Sequence, residues 1–170
     1  MDPVLIYLVS LSLSLLFATA GIHKLWHPTA FRQVLSGYQL LPLGALGLAG
    51  RAVPIAELTI ALGLIIPQTQ FLAAIATVVV LLGYAAAIWI NIVRGNLALD
   101  CGCQLGTARQ TISMALVIRN FILAIATLII ILPSSERILT TLDYGFLTFG
   151  LVIAALLYAT LNTQIANATS

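Results

Sequence analysis

Cys101 and Cys103 are the only two thiols in the chain, and a single glycine, Gly102, separates them. They lie in Leu99-Asp100-Cys101-Gly102-Cys103-Gln104-Leu105-Gly106, a polar interval between two strongly apolar runs. A thiol reacts through its thiolate, which nearby cations and helix N-termini favour. Arg94 precedes the pair, Arg109 follows it, and a new apolar segment begins soon after. Asp100 works in the opposite sense, because a neighbouring carboxylate raises a thiol's pKa. A disulfide between these positions would need Cα atoms about 4.4–6.8 Å apart, and Gly102 permits the required turn. Such a bond is strained, and strained disulfides are the labile, exchanging kind. Three readings stand on the residues alone: redox exchange, soft-metal binding, or two small loop residues without chemistry.

A second group of residues is polar where the chain is otherwise apolar. Glu57 and Arg119 each fall inside a long hydrophobic run, where an ionisable side chain is costly and marks a functional site by default. Each lies roughly 9 Å along its helix from the cysteine end of the chain's fold. The two helices run in the same direction, so the sequence predicts Glu57 and Arg119 at one depth and paired. The pair can be a structural ion pair that fixes helix register, or it can line a polar pocket beneath the cysteines for a substrate, a quinone or a proton. Asn120 reads as a hydrogen-bonding contact between helices. His23, Lys24 and His27 close the first apolar run. His23 and His27 have the i, i+4 spacing of helical metal ligands, but Pro28 disfavours helix at the second of them. Zinc sites place two to four residues between cysteines, not one, so no metal centre is assigned. Lys24 reads as a side chain reaching from the helix end toward the interface.

The elements that carry these residues follow from composition. The chain has 170 residues, 61% of them hydrophobic and 7% charged, whereas ordinary soluble domains are about 25% charged. Four or five windows of roughly 20 residues hold almost no charge, the signature of membrane-spanning helices. The expected fold is all-α: a polytopic membrane bundle of four core transmembrane helices plus a fifth, in a single domain. The spans are placed at about 3–25, 44–66, 71–92, 112–132 and 144–161, with the cysteine loop at 94–111. Residues 3–25 have no basic leader and are read as a retained span rather than a cleaved signal. Phe31, Val34, Leu35 and Tyr38 share one helical face, so residues 29–41 form a short amphipathic helix lying in the membrane interface. Residues from Asn162 onward are polar and expected to fray. No basic run suggests nucleic acid; the environment is the lipid bilayer.

Five spans sort the charges onto two sides. Lys24, Arg32, Arg51, Arg94, Arg109 and Arg119 fall on or near the cysteine side and only Arg137 on the other. By the positive-inside rule the cysteine side faces the cytoplasm.

Gly21-Ile22-His23-Lys24-Leu25, Glu57, Asp100-Cys101-Gly102-Cys103 with Gly106, and Arg119-Asn120 occur in an order and span placement that resembles the MauE/DoxX-type redox-associated membrane proteins, most closely the MauE branch. Leu105 departs from the pattern, which often has an aromatic there. The resemblance covers about residues 10–132. It implies a bacterial inner-membrane protein that handles thiols and disulfides, associated with maturation of the disulfide-rich small subunit of methylamine dehydrogenase beside a thioredoxin-like periplasmic partner. On that reading Cys101 and Cys103 are catalytic and face the periplasm, against the charge count. Lys24, Arg51, Glu57, Arg94, Asp100, Arg119 and Asn120 shape the pocket and the thiol pKa, with His23 and His27 secondary. No haem or flavin motif is visible, and a quinone stays open as electron acceptor. The alternatives are a soft-metal or small-molecule carrier with the cysteines as ligands, or a non-catalytic assembly factor.

Overall fold

The computed structural model describes residues 1–99, 111–133, 135 and 137–168. Among them are six α-helices and one short 3-10 turn. Five segments are long and apolar enough to cross a membrane: Pro3–Trp26, Leu43–Ile65, Gln70–Val93, Met114–Ile131 and Thr141–Ala168. The protein is a polytopic helical membrane protein. Its outward faces carry large apolar side chains such as Leu62, Leu72, Phe121 and Phe146, which suit lipid and would be anomalous in water.

Local chemistry sets the helix ends. In α1 (Pro3–Trp26) the Asp2 side chain accepts from the Val4 amide at 2.9 Å and Pro3 opens the first turn, both favourable N-terminal choices. Pro28 forces His27 out of helical geometry (φ −122°, ψ 59°), so the chain breaks there and restarts as α2 (Pro28–Tyr38). This is the amphipathic segment; it buries Phe31 and Tyr38. It stops at Gln39, which takes the left-handed conformation at φ 51°, a common helix terminator. A 3-10 turn at Leu43–Ala45 leads into α3 (Leu46–Ile65). Then follow α4 (Gln70–Val93), α5 (Met114–Ile131) and α6 (Thr141–Ala168). Gly95 just after α4 has φ 78°, a conformation glycine adopts without steric cost.

Helix α1 packs most extensively on α3, and α4 on α5, while α6 rests mainly on α1. The α1–α3 seam sets Ser14, Gly21 and Lys24 on one side against Ala61, Pro54 and Glu57 on the other. Small residues of this kind let membrane helices approach closely. At Gly21 the approach is tight: a Cβ there would stand 3.0 Å from the Pro54 carbonyl oxygen. Ser14 closes the seam with a hydrogen bond from Oγ to the Ala61 carbonyl at 2.8 Å. Helix α6 is the outlier, burying only Asp143 and Leu147. It continues to Ala168, so the residues from Asn162 to Ala168 are helical where the sequence predicts fraying.

A clamp at the end away from Lys24 ties α6 to α1. Arg137 donates from both terminal nitrogens to the Asp143 carboxylate, at 2.8 and 3.0 Å, and reaches Asp2 at 3.1 Å. The Asp2 carboxyl is held below its ordinary range, first by the Val4 amide and then by Arg137. A lowered folded-state pKa stabilises above the ordinary carboxylate value of about 4 and loses that contribution as pH falls through the lowered value. Thermal unfolding in detergent is therefore expected to show an acid-induced loss of melting temperature below about pH 4 that is smaller in Asp2→Asn.

Candidate functional site

Lys24 lies one turn before the break that Pro28 imposes, and it is almost fully buried, at 5% exposure. The close α1–α3 approach at Gly21 brings it against Glu57, which is 1% exposed. Lys24 Nζ donates to Glu57 Oε1. Tyr84, on α4, donates its hydroxyl to the same oxygen at 2.6 Å and accepts from Lys24 Nζ at 3.3 Å. The ammonium also lies over two rings, 5.2 Å from the centre of Phe31 and 5.0 Å from that of Tyr84, which adds cation–π attraction in a desolvated place. A buried lysine is tolerable only with such compensation. The sequence predicts Glu57 paired with Arg119; the ion-pair partner is Lys24 instead. Arg119 donates to Asn162 Oδ1 at 2.6 Å and lies over the Tyr158 ring, 5.6 Å from its centre. Both partners come from α6, which accounts for its helical C-terminal end.

Glu57, Lys24, Tyr84, Arg119 and Asn120 line one cavity of about 40 Å³, together with residues including Leu16, Leu123 and Tyr158. The polar atoms on its wall are not all used. Glu57 Oε2 and Asn120 Nδ2 are buried without a hydrogen-bond partner among the described residues. One is an acceptor and the other a donor. Buried polar groups are nearly always satisfied, so such a pair marks where a water or a ligand group belongs. The volume is ample for a water.

Of the site residues expected from sequence, Lys24, Glu57, Arg119 and Asn120 converge here. Arg51 and Arg94 are exposed and do not line the cavity. His23 is half-buried and His27 exposed, with ring centres 4.9 Å apart; neither lines it. Tyr84, Tyr158 and Asn162 are additions. Tyr84 had a signal in the sequence: Thr77, Tyr84 and Asn91 recur every seven residues on α4, and Thr77 and Asn91 are fully buried. Asp100, Cys101 and Cys103 lie outside the described residues, as does the rest of 100–110. The two ends of that segment are fixed. Ile112 donates its amide to the Leu99 carbonyl at 2.9 Å. Leu99 packs against the cluster of Tyr38, Ile88, Ile112 and Leu116. The segment therefore leaves from the end of the bundle formed by α2, the C-terminus of α4 and the N-terminus of α5, the end where Lys24 lies.

A family profile described as methylamine utilisation protein MauE matches residues 2–133. The chain belongs to the MauE family. Curated MauE proteins give the same answer. The methylamine utilization protein MauE of Paracoccus denitrificans is 34% identical over 129 residues, covering 76% of this chain and 69% of that protein. Its counterpart in Paracoccus versutus is 36% identical over 122 residues, covering 72% and 66%. That of Methylorubrum extorquens is 36% identical over 125 residues, covering 74% and 67%. The chain thus spans about two thirds of these relatives' lengths. No solved structure matches. The MauE match contains the whole Lys24–Glu57–Tyr84 cluster and the cysteine segment, whereas α6, with Tyr158 and Asn162, follows it.

Proposed function

We propose that this MauE-family protein is a membrane thiol–disulfide exchange component that uses Cys101 and Cys103. The observation that carries the reading is the coincidence of the chain's only two thiols, one residue apart, with a segment rooted by the Leu99–Ile112 hydrogen bond at the Lys24 end of the bundle. The curated relatives are named for methylamine utilization. The proposed partner is accordingly a thioredoxin-like protein or a disulfide-rich subunit matured for methylamine oxidation. In exchange, one cysteine thiolate attacks a disulfide sulfur of the partner and a mixed disulfide forms. The second cysteine then attacks that mixed bond. The partner leaves with both sulfurs reduced, the protein keeps the new disulfide, and two electrons have moved. The reverse sequence oxidises the partner, and the relative reduction potentials set the direction.

The proposed location is the bacterial inner membrane with the cysteines on the periplasmic face. The basic residues counted toward the cytoplasm include Lys24 and Arg119, which are engaged in the polar cluster and so carry a structural role besides any topogenic one. Thiol labelling tests the placement. A membrane-impermeant maleimide applied to spheroplasts is expected to modify Cys101 and Cys103 only after reductant. Labelling only from the cytoplasmic face of inverted vesicles would overturn the orientation. Labelling at full yield without reductant, whatever the growth conditions, would show that the pair does not form a disulfide.

A further inference from the structure

A second cavity, of about 470 Å³, lies between α1, α5 and α6, with Leu13, Leu123, Ala126 and Ala155 on its largely aliphatic walls. Helix α6 is tied to the rest of the bundle at three places. The Arg137 clamp fixes its start. Gly150 then touches α1, where an added Cβ would stand 3.0 Å from Leu8 Cδ1. Further on, Asn162 accepts from Arg119 of α5. Between the last two ties α6 turns small side chains, Ala154, Ala155 and Ala159, toward the cavity, while Leu156 and Leu157 face outward. The stretch from Gly150 to Asn162 is about 18 Å of helix. Spread over that length, the cavity has a mean cross-section below about 30 Å², whereas an α-helix with its side chains is about 10–12 Å across and needs roughly three times that area. A helix of a second copy does not fit. Aliphatic cavities do not hold water. Left empty, the walls would forfeit the dispersion contacts that hold membrane helices together. A single hydrocarbon chain fits, and the bilayer core around these helices is made of such chains.

We propose that one acyl chain of a bilayer phospholipid occupies this cavity and completes the packing of α6. Without it, α6 buries only Asp143 and Leu147. Helix α6 follows the MauE match, so one wall of the seat comes from outside that match. The seat also bears on the polar cluster. Leu16, Leu123 and Tyr158 line both cavities, and Tyr158 and Asn162 of α6 engage Arg119. A chain that holds α6 in place preserves those two contacts. The inference is independent of the thiol–disulfide reading.

The test uses the full chain in phosphatidylcholine nanodiscs that include a small share of phosphatidylcholine with a diazirine midway along one acyl chain. After illumination, adducts are mapped by peptide mass spectrometry. Adducts are expected on the cavity walls, at Leu13 and Leu123 above all, as well as on outward residues such as Phe149. Leu13 is only 3% exposed and Phe149 73%, so an adduct at Leu13 reports a chain inside the cavity. Ala155→Trp, and the milder Ala126→Leu on α5, are each expected to lower the wall adducts several-fold and to leave those at Phe149 unchanged. Adducts confined to outward residues in the parent would overturn the proposal, as would wall adducts indifferent to both filling variants. Wall adducts that a small proportion of decylubiquinone abolishes would assign the cavity to a quinone and overturn it too.

Discussion

Replacing Glu57 by alanine is expected to destabilise the protein by about 3–5 kcal/mol, the usual cost of stranding one charge of a buried pair. Lys24 would keep its rings but lose its counter-charge while staying buried. The measurement is unfolding of the purified protein in detergent, followed by circular dichroism. The double variant Lys24→Met with Glu57→Leu should recover most of the loss, because well-packed apolar residues commonly substitute for a buried ion pair without penalty. That recovery separates stability from chemistry. A double variant that folds as well as the parent yet exchanges disulfides poorly would place the pair in the functional machinery. If Glu57→Ala were as stable as the parent, the pair would not be the buried, desolvated one described here.

Replacing either cysteine by serine is expected to reduce thiol–disulfide exchange to the uncatalysed level. A hydroxyl cannot substitute for a thiolate in exchange. The two single variants should also differ from each other. The cysteine that attacks the partner will, when its neighbour is serine, hold the partner as a stable mixed disulfide visible on a non-reducing gel. The other variant will hold nothing. A pair of variants that both retain full exchange would remove the thiols from the mechanism.

The architecture is legible in the sequence because each span is a long apolar run and because Pro3, Pro28, Pro67 and Pro133 punctuate the runs. The amphipathic α2 is equally legible from Phe31, Val34, Leu35 and Tyr38 on one face. The site is legible only in part. Position along a helix can be counted from the sequence, and that count placed Glu57 and Arg119 at a common depth. Rotation about the helix axis and choice of neighbour cannot be counted, and they decide the pairing. The small residues around Gly21 bring α1 to α3, which gives Glu57 to Lys24 and leaves Arg119 to Tyr158 and Asn162 on α6. The same contact bears on the polar residues after Leu161: Asn162 reads as part of a frayed end until the half-buried Arg119 donates to its Oδ1. Arg51 and Arg94 share the basic end of the molecule with the cluster, but their side chains are exposed, a distinction that charge sorting by side cannot make.

The decisive measurement is the rate at which the purified protein, in lipid nanodiscs, changes the redox state of a thioredoxin-like partner, compared with the Cys101→Ser, Cys103→Ser double variant. An exchange centre at Cys101 and Cys103 predicts catalysis by the parent and none above background by the double variant, with both proteins equally folded. Equal rates for the two would contradict a thiol–disulfide function for this chain.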